Sequence, residues 1–173
     1  MKQILPIIFL LFGLLSCNEN TQRKQHTFVE TNPPETTFQI KKGAEFSVQV
    51  VSITDGDTFK GLTADKQEIK FRIYGIDAPE TRSGGAQPFC QKSKQTLSDL
   101  IFDKTVRIKI QNKDGWGRAV VWVYTPDGKD VSAEMIRAGM AWHFKKYSND
   151  AEYAELENQA RKQKIGLWAD KTL

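Results

Sequence analysis

Carboxylates and arginines in this sequence gather in three short blocks. Asp55-Gly56-Asp57-Thr58 comes first, then Arg72-Ile73-Tyr74-Gly75-Ile76-Asp77-Ala78-Pro79-Glu80, and then Asp114-Gly115-Trp116-Gly117-Arg118. Asp57 and Asp77 offer hard oxygen ligands. Neither His26 nor His143 nor either cysteine has partners at zinc-like spacing, so calcium or magnesium is favoured over zinc. Each block also has a plainer meaning when taken alone. Asp55 to Thr58 is a hairpin turn signal between two apolar runs. Asp77-Ala78-Pro79 is a capped turn closing a strand, and the third block places Arg118 just beyond another turn.

The surrounding pattern predicts the elements that must position these residues. Phe46, Val48 and Val50 alternate and then change face at Val51 and Ile53, which fits a strand with a bulge or sharp bend. Thr58 to Leu62 and Ile69 to Ile76 read as two further strands, with Arg72 on the face away from the core. Phe89, Cys90, Leu97, Leu100 and Ile101 recur at helical spacing, giving a helix from Gln87 to Phe102 with Pro88 in its first turn. Val106, Ile108 and Ile110 alternate in a fourth strand, and Arg118 to Tyr124 forms a fifth. Asp130 caps a short helix ending at Gly139, and a last helix runs from Asp150 to Lys164 with charges that suit its dipole. Three strands, a helix, two strands and two helices make an α+β protein: a five-stranded OB-fold β-barrel with three helices.

The ends carry a different signal. A lone Lys2 precedes an uncharged apolar run from Ile4 to Leu15, too short to span a bilayer, that closes on Ser16-Cys17. Leu14-Leu15-Ser16-Cys17 resembles the bacterial lipobox, which implies a signal peptide over 1–16 and lipidation of Cys17. Residues 17–41 then read as a lipidated cysteine and flexible tether, rich in Asn, Thr, Glu and Gln and holding Pro33-Pro34. The folded domain is expected over 42–173, about 130 residues, enough for one core. With Cys17 set aside, Cys90 is alone, so this domain has no internal disulfide and its stability rests on the core. The net charge is +4, and loss of Lys2 lowers it to +3. That mild excess permits a nucleic-acid partner without demanding one.

Taken in order and with these gaps, D-G-D-T, R-x-x-G-I-D-A-P-E and D-x-W-G-R resemble the staphylococcal nuclease family, and the resemblance covers Lys42 to Trp168. It implies that Asp57 and Asp77 bind Ca2+ with the backbone carbonyl of Ala78, and that Asp55 supports them from behind. A cation there would offset the repulsion between clustered carboxylates and a phosphodiester. Glu80 matches the glutamate proposed as general base. Arg72 and Arg118 match the two arginines that hold the scissile phosphate, a task suited to the planar guanidinium fork. Trp142 and Phe144 match aromatic positions lining the nucleotide site. They are not tyrosines, so a phenolic hydrogen bond is lost. Ala78 stands where the best-known member has threonine, Gly115 where some members have lysine, and Ser83-Gly84-Gly85 forms a Gly-rich lip.

The resemblance therefore implies a calcium-dependent nuclease acting on DNA, and on RNA as a further candidate, that leaves 3′-phosphate ends. It would be a monomer tethered by lipid to a bacterial membrane on the extracytoplasmic side. The rival reading is a catalytically inactive nucleic-acid or protein binding module on the same fold. Retention of Asp57, Arg72, Asp77, Glu80 and Arg118 argues for the enzyme.

Overall fold

The computed structural model describes residues 38–82 and 85–169. The expected signal peptide, Cys17, the tether as far as residue 37, and Ser83 and Gly84 lie outside the described residues. Strand β1 (Glu45–Asp55) is the longest element of the sheet, and it is bent. Its first half pairs antiparallel with β7 (Thr105–Lys113) and its second half with β2 (Thr58–Leu62). Register shifts between Val50 and Ser52 and between Ile53 and Asp55 let Val48, Val50 and Ile53 all face the core despite their spacing. The bulge anticipated from the change of face is present.

β2 pairs with β3 (Glu68–Ile73), and β3 lies parallel to β8 (Ala119–Tyr124). β8 returns to β7, so the five strands close in the order β1-β2-β3-β8-β7. Two short strand pairs complete the sheet structure among the described residues. β4 (Ile76–Asp77) pairs with β9 (Trp142–His143), and β5 (Thr81–Arg82) pairs with β6 (Gly85–Ala86). The third strand ends at Ile73 rather than running to Ile76 because Gly75, at φ 77°, turns the chain there. A Cβ on Gly75 would lie 2.7 Å from the Tyr153 ring, so both the turn and the packing call for glycine.

Helix α1 (Cys90–Ile101) buries Cys90, Ser93, Leu97 and Ile101 against the barrel. It starts three residues later than its apolar pattern suggests. Phe89 is its N-cap in the left-handed region, and Pro88 belongs to the turn before it. Leu97 and Ile101 join the stacked rings of Phe59 and Phe71 in the core, and burying each aliphatic side chain contributes about 1.5–3 kcal/mol. Helices α2 (Val131–Arg137) and α3 (Ala151–Gln163) are capped by the side chains of Asp130 and Asp150, as their sequences predict. Phe38 packs edge-on against Phe46 and Phe71, and Ile40 also lies on the core.

Candidate active site

The turn joining β1 to β2 brings Asp57 into the interior, with only 3% of its surface exposed. Gly56 makes this possible, since a Cβ there would lie 1.8 Å from the Ser93 Oγ of α1 and 2.8 Å from the Ala78 Cβ. The Asp57 carboxylate is fully engaged. Its Oδ2 accepts the Ala78 N–H at 2.8 Å and its Oδ1 accepts the Thr58 hydroxyl at 2.9 Å. Asp55 Oδ1 accepts the Asp57 N–H at 3.2 Å, tightening the turn.

Arg72 reaches from β3 across both acidic blocks. Its Nη1 lies 2.6 Å from Asp57 Oδ2, and its Nη2 donates to Asp77 Oδ1 at 2.9 Å. Desolvation by burial pushes the Asp57 carboxyl up to about 8 against the pull of Arg72, and the charge of Asp55 adds to the rise. Burial thus disfavours the charged form of Asp57 even beside Arg72.

That geometry tests the fit of a divalent cation. Two carboxylate oxygens already share one cation between them, and all the donors are hard oxygens, as calcium or magnesium requires. Among the described residues no group of three or more His, Cys, Asp or Glu side chains is arranged as a metal cage. Asp57 and Asp77, joined through Arg72, are the hard-oxygen side chains that a cation would meet here.

On the far side, Asp114 organises the turn between β7 and β8. Its Oδ1 accepts the N–H groups of Trp116 and Arg118 at 3.0 and 2.8 Å, and its Oδ2 accepts Arg118 Nε at 2.6 Å. Burial alone would raise the Asp114 carboxyl, but the bonds from the Arg118 side chain and backbone outweigh it and hold the group below its usual 3.8.

Arg72, Asp77, Glu80, Arg118 and Phe144 line one open cleft of about 530 Å3. Asp57 is buried and meets the cleft through Arg72. Trp142 pairs with Asp77 across β9 and β4 and is not among the cleft walls, so the two predicted aromatics separate. Three others line the cleft without having been singled out as such: Tyr74, Trp116 and Tyr147. Trp116 is 84% exposed and Tyr147 is 60% exposed, with Tyr147 packed edge-on to Phe144 at 4.9 Å. A tryptophan inside a four-residue turn cannot be core, and that was the available signal for Trp116. Tyr147 carries no comparable mark in the sequence.

The strand order and the parallel β3–β8 pair define an OB fold of the α+β class, with three helices packed on the barrel and an arginine-lined cleft. The chain belongs to the staphylococcal nuclease family: the family model described as "Staphylococcal nuclease homologue" matches residues 70–170. The matched span takes in Arg72, Asp77, Glu80 and Arg118, while Asp57 precedes it. Similar proteins include an uncharacterized endonuclease of Haemophilus influenzae, 44% identical over 122 residues that cover 70% of this chain and 66% of the relative. An uncharacterized endonuclease of Escherichia coli O157:H7 is 37% identical, covering 73% of this chain and 80% of the relative. A micrococcal nuclease of Shigella flexneri is also 37% identical, covering 73% and 76%.

Proposed function

We propose that this protein is a calcium-dependent nuclease that hydrolyses phosphodiester bonds of DNA and RNA on the 5′-oxygen side and leaves 3′-phosphate ends. The observation that carries the reading is the convergence of Arg72, Arg118 and Glu80 on one cleft beside the Asp57–Asp77 pair. The Asp57 and Asp77 carboxylates and the Ala78 carbonyl would hold the cation, with Asp55 behind. Bound there, calcium supplies positive charge that draws the phosphate to the acids and stabilises charge on its oxygens.

Arg118, with its Nε fixed by Asp114, offers its terminal nitrogens to the phosphate, and Arg72 offers its own from the neighbouring strand β3. Both neutralise charge as the five-coordinate phosphorus forms. Glu80 takes a proton from the attacking water, the water oxygen bonds to phosphorus, and the bond to the 5′ oxygen breaks. Trp116, Phe144 and Tyr147 give the bases flat apolar surfaces to stack on. The enzyme acts as a monomer held at the bacterial cell envelope, outside the cytoplasm, by lipid on Cys17.

The test is to incubate the protein with labelled DNA and RNA, in calcium or in chelator, and to identify the end groups. Calcium-dependent cleavage to 3′-phosphates is expected. Binding without cleavage under any of these conditions overturns the reading in favour of a binding module.

A further inference from the structure

Glu80 is exposed at the cleft, and hydrogen bonds tie its backbone to the hairpin that follows. Those bonds come from Gln87. Thr81 pairs with Ala86 and Arg82 with Gly85, which makes Glu80 and Gln87 the next rung of the same small hairpin. In an antiparallel rung of this kind each residue donates its N–H to the other's carbonyl. The Gln87 N–H does donate to the Glu80 carbonyl, at 3.0 Å. The return bond is different: the Glu80 N–H donates to the Gln87 side-chain Oε1 at 2.8 Å.

The substitution follows from what comes next in the chain. The Gln87 backbone carbonyl is turned away and accepts the N–H of Cys90, the first residue of α1, at 3.1 Å. Pro88 and Phe89, the latter at φ 66°, make that turn. The Gln87 amide therefore stands in for a carbonyl committed to the helix. One residue closes the hairpin on Glu80 and hands the chain to α1, whose buried face is fixed to the barrel.

We infer that Gln87 is a positioning residue for Glu80: its side-chain amide fixes the Glu80 backbone so that the carboxylate is held at the cleft. The inference rests on the reading of Glu80 as the general base. A catalytic acid or base must be held within a fraction of an ångström of its working position, and the group that holds it then acts on turnover rather than on binding.

The experiment compares Gln87→Leu, Gln87→Glu, Glu80→Gln and the double variant Glu80→Gln/Gln87→Leu. Steady-state rates are measured on a labelled oligonucleotide, calcium affinity by calorimetry and Tm by thermal melts. Gln87→Leu, close in size but without the acceptor, is expected to lower kcat by roughly ten- to a hundredfold, leaving KM, calcium affinity and Tm unchanged. In the Glu80→Gln background it is expected to add no further loss. Gln87→Glu keeps an oxygen acceptor for the Glu80 N–H and is expected to restore the rate. An unchanged kcat in Gln87→Leu, alongside a large loss in Glu80→Gln, overturns the inference and leaves the assignment of the base intact. Parallel losses of kcat, calcium affinity and Tm overturn it in favour of a merely structural role. A Glu80→Gln enzyme as fast as the parent removes the base assignment and the inference with it.

Discussion

Arg72 Nη1 sits 2.6 Å from Asp57 Oδ2, and both side chains are largely removed from solvent. This guanidinium joins the second strand's acid to Asp77 on the far side of the Gly75 turn, so the two halves of the acidic site share one counter-charge.

The first prediction concerns protons. Asp57 has a folded-state value near 8 against an ordinary 3.8, so between those limits the metal-free native state keeps a proton that the unfolded chain has lost. The native state binds more protons, and stability falls as pH rises. The contribution of this group is greatest below about pH 4 and is gone above about 8. Denaturant unfolding in chelator is expected to show that downward slope in the parent and a shallower one in Asp57→Asn. Calcium requires the ionised carboxylate, so its binding releases a proton near neutral pH and tightens as pH rises toward 8. Calorimetry in buffers of different ionisation enthalpy reads that proton directly, and buffer-independent heats at neutral pH would contradict the expectation.

Gly56 links the fold to the site. Adding one methyl there drives a Cβ into Ser93 and Ala78, so α1 or the β1–β2 turn must shift. Gly56→Ala is expected to cost about 1–3 kcal/mol, the scale of overpacking, and to weaken calcium binding as well. The pairing Ser93→Gly with Gly56→Ala tests the cause. Removing the Ser93 side chain is expected to recover part of the loss, and no recovery would point away from this contact.

Much of this architecture was legible beforehand because it depends on periodicity and local chemistry. The bulge in β1, the Asp130 and Asp150 caps and the five-strand order all follow from alternation, capping residues and turn signals. The three acid and arginine blocks were readable in their joint spacing. What escaped depends on tertiary approach. Ser93 looks like a polar residue on a helix, yet it is buried and donates to the Met140 carbonyl at 2.7 Å. The start of α1 was displaced because Phe89 adopts a left-handed backbone that no apolar pattern encodes. Trp142 and Phe144 were paired by type, but Phe144 lies beyond the end of β9, its N–H bonded to the Gly75 carbonyl, and of the two only it lines the cleft.

Arg118 should matter to turnover more than to binding. Its Nε is already committed to Asp114, which leaves its terminal nitrogens as the donors for charge that develops on a phosphate. Arg118→Ala is expected to lower kcat by roughly 10²–10³-fold, the scale for losing one transition-state donor, with a much smaller change in KM. Arg72→Ala is expected to follow more weakly. Equal kinetic constants in Arg118→Ala and parent would make the arginine a bystander.

The proposed attachment to the envelope rests on the Cys17 sulfur. Cys17→Ala is expected to leave the protein out of the membrane fraction or to stall its processing, because acyl chains have no other attachment point. Metabolic labelling with a tagged fatty acid checks it. A parent that remains soluble and unlabelled would instead indicate an ordinary secreted protein.

The last prediction separates the two acids by task. Asp57 is buried, bonded to Ala78, Thr58 and Arg72, whereas Glu80 is exposed at the cleft with its backbone tied to Gln87. A ligand and a base should fail differently. Asp57→Ala removes a metal ligand and leaves Arg72 without its nearest partner, so calcium affinity and activity fall together. Glu80→Gln keeps the size and removes only the ability to take a proton. It is expected to bind calcium and a nucleotide inhibitor as the parent does while turning over at least about a hundredfold more slowly, the scale for loss of a general base. If Glu80→Gln and Asp57→Ala lose calcium binding equally, Glu80 belongs to the metal site and the base is another group. If Glu80→Gln cleaves as fast as the parent, the nuclease stands and another residue or the bulk solvent accepts the proton.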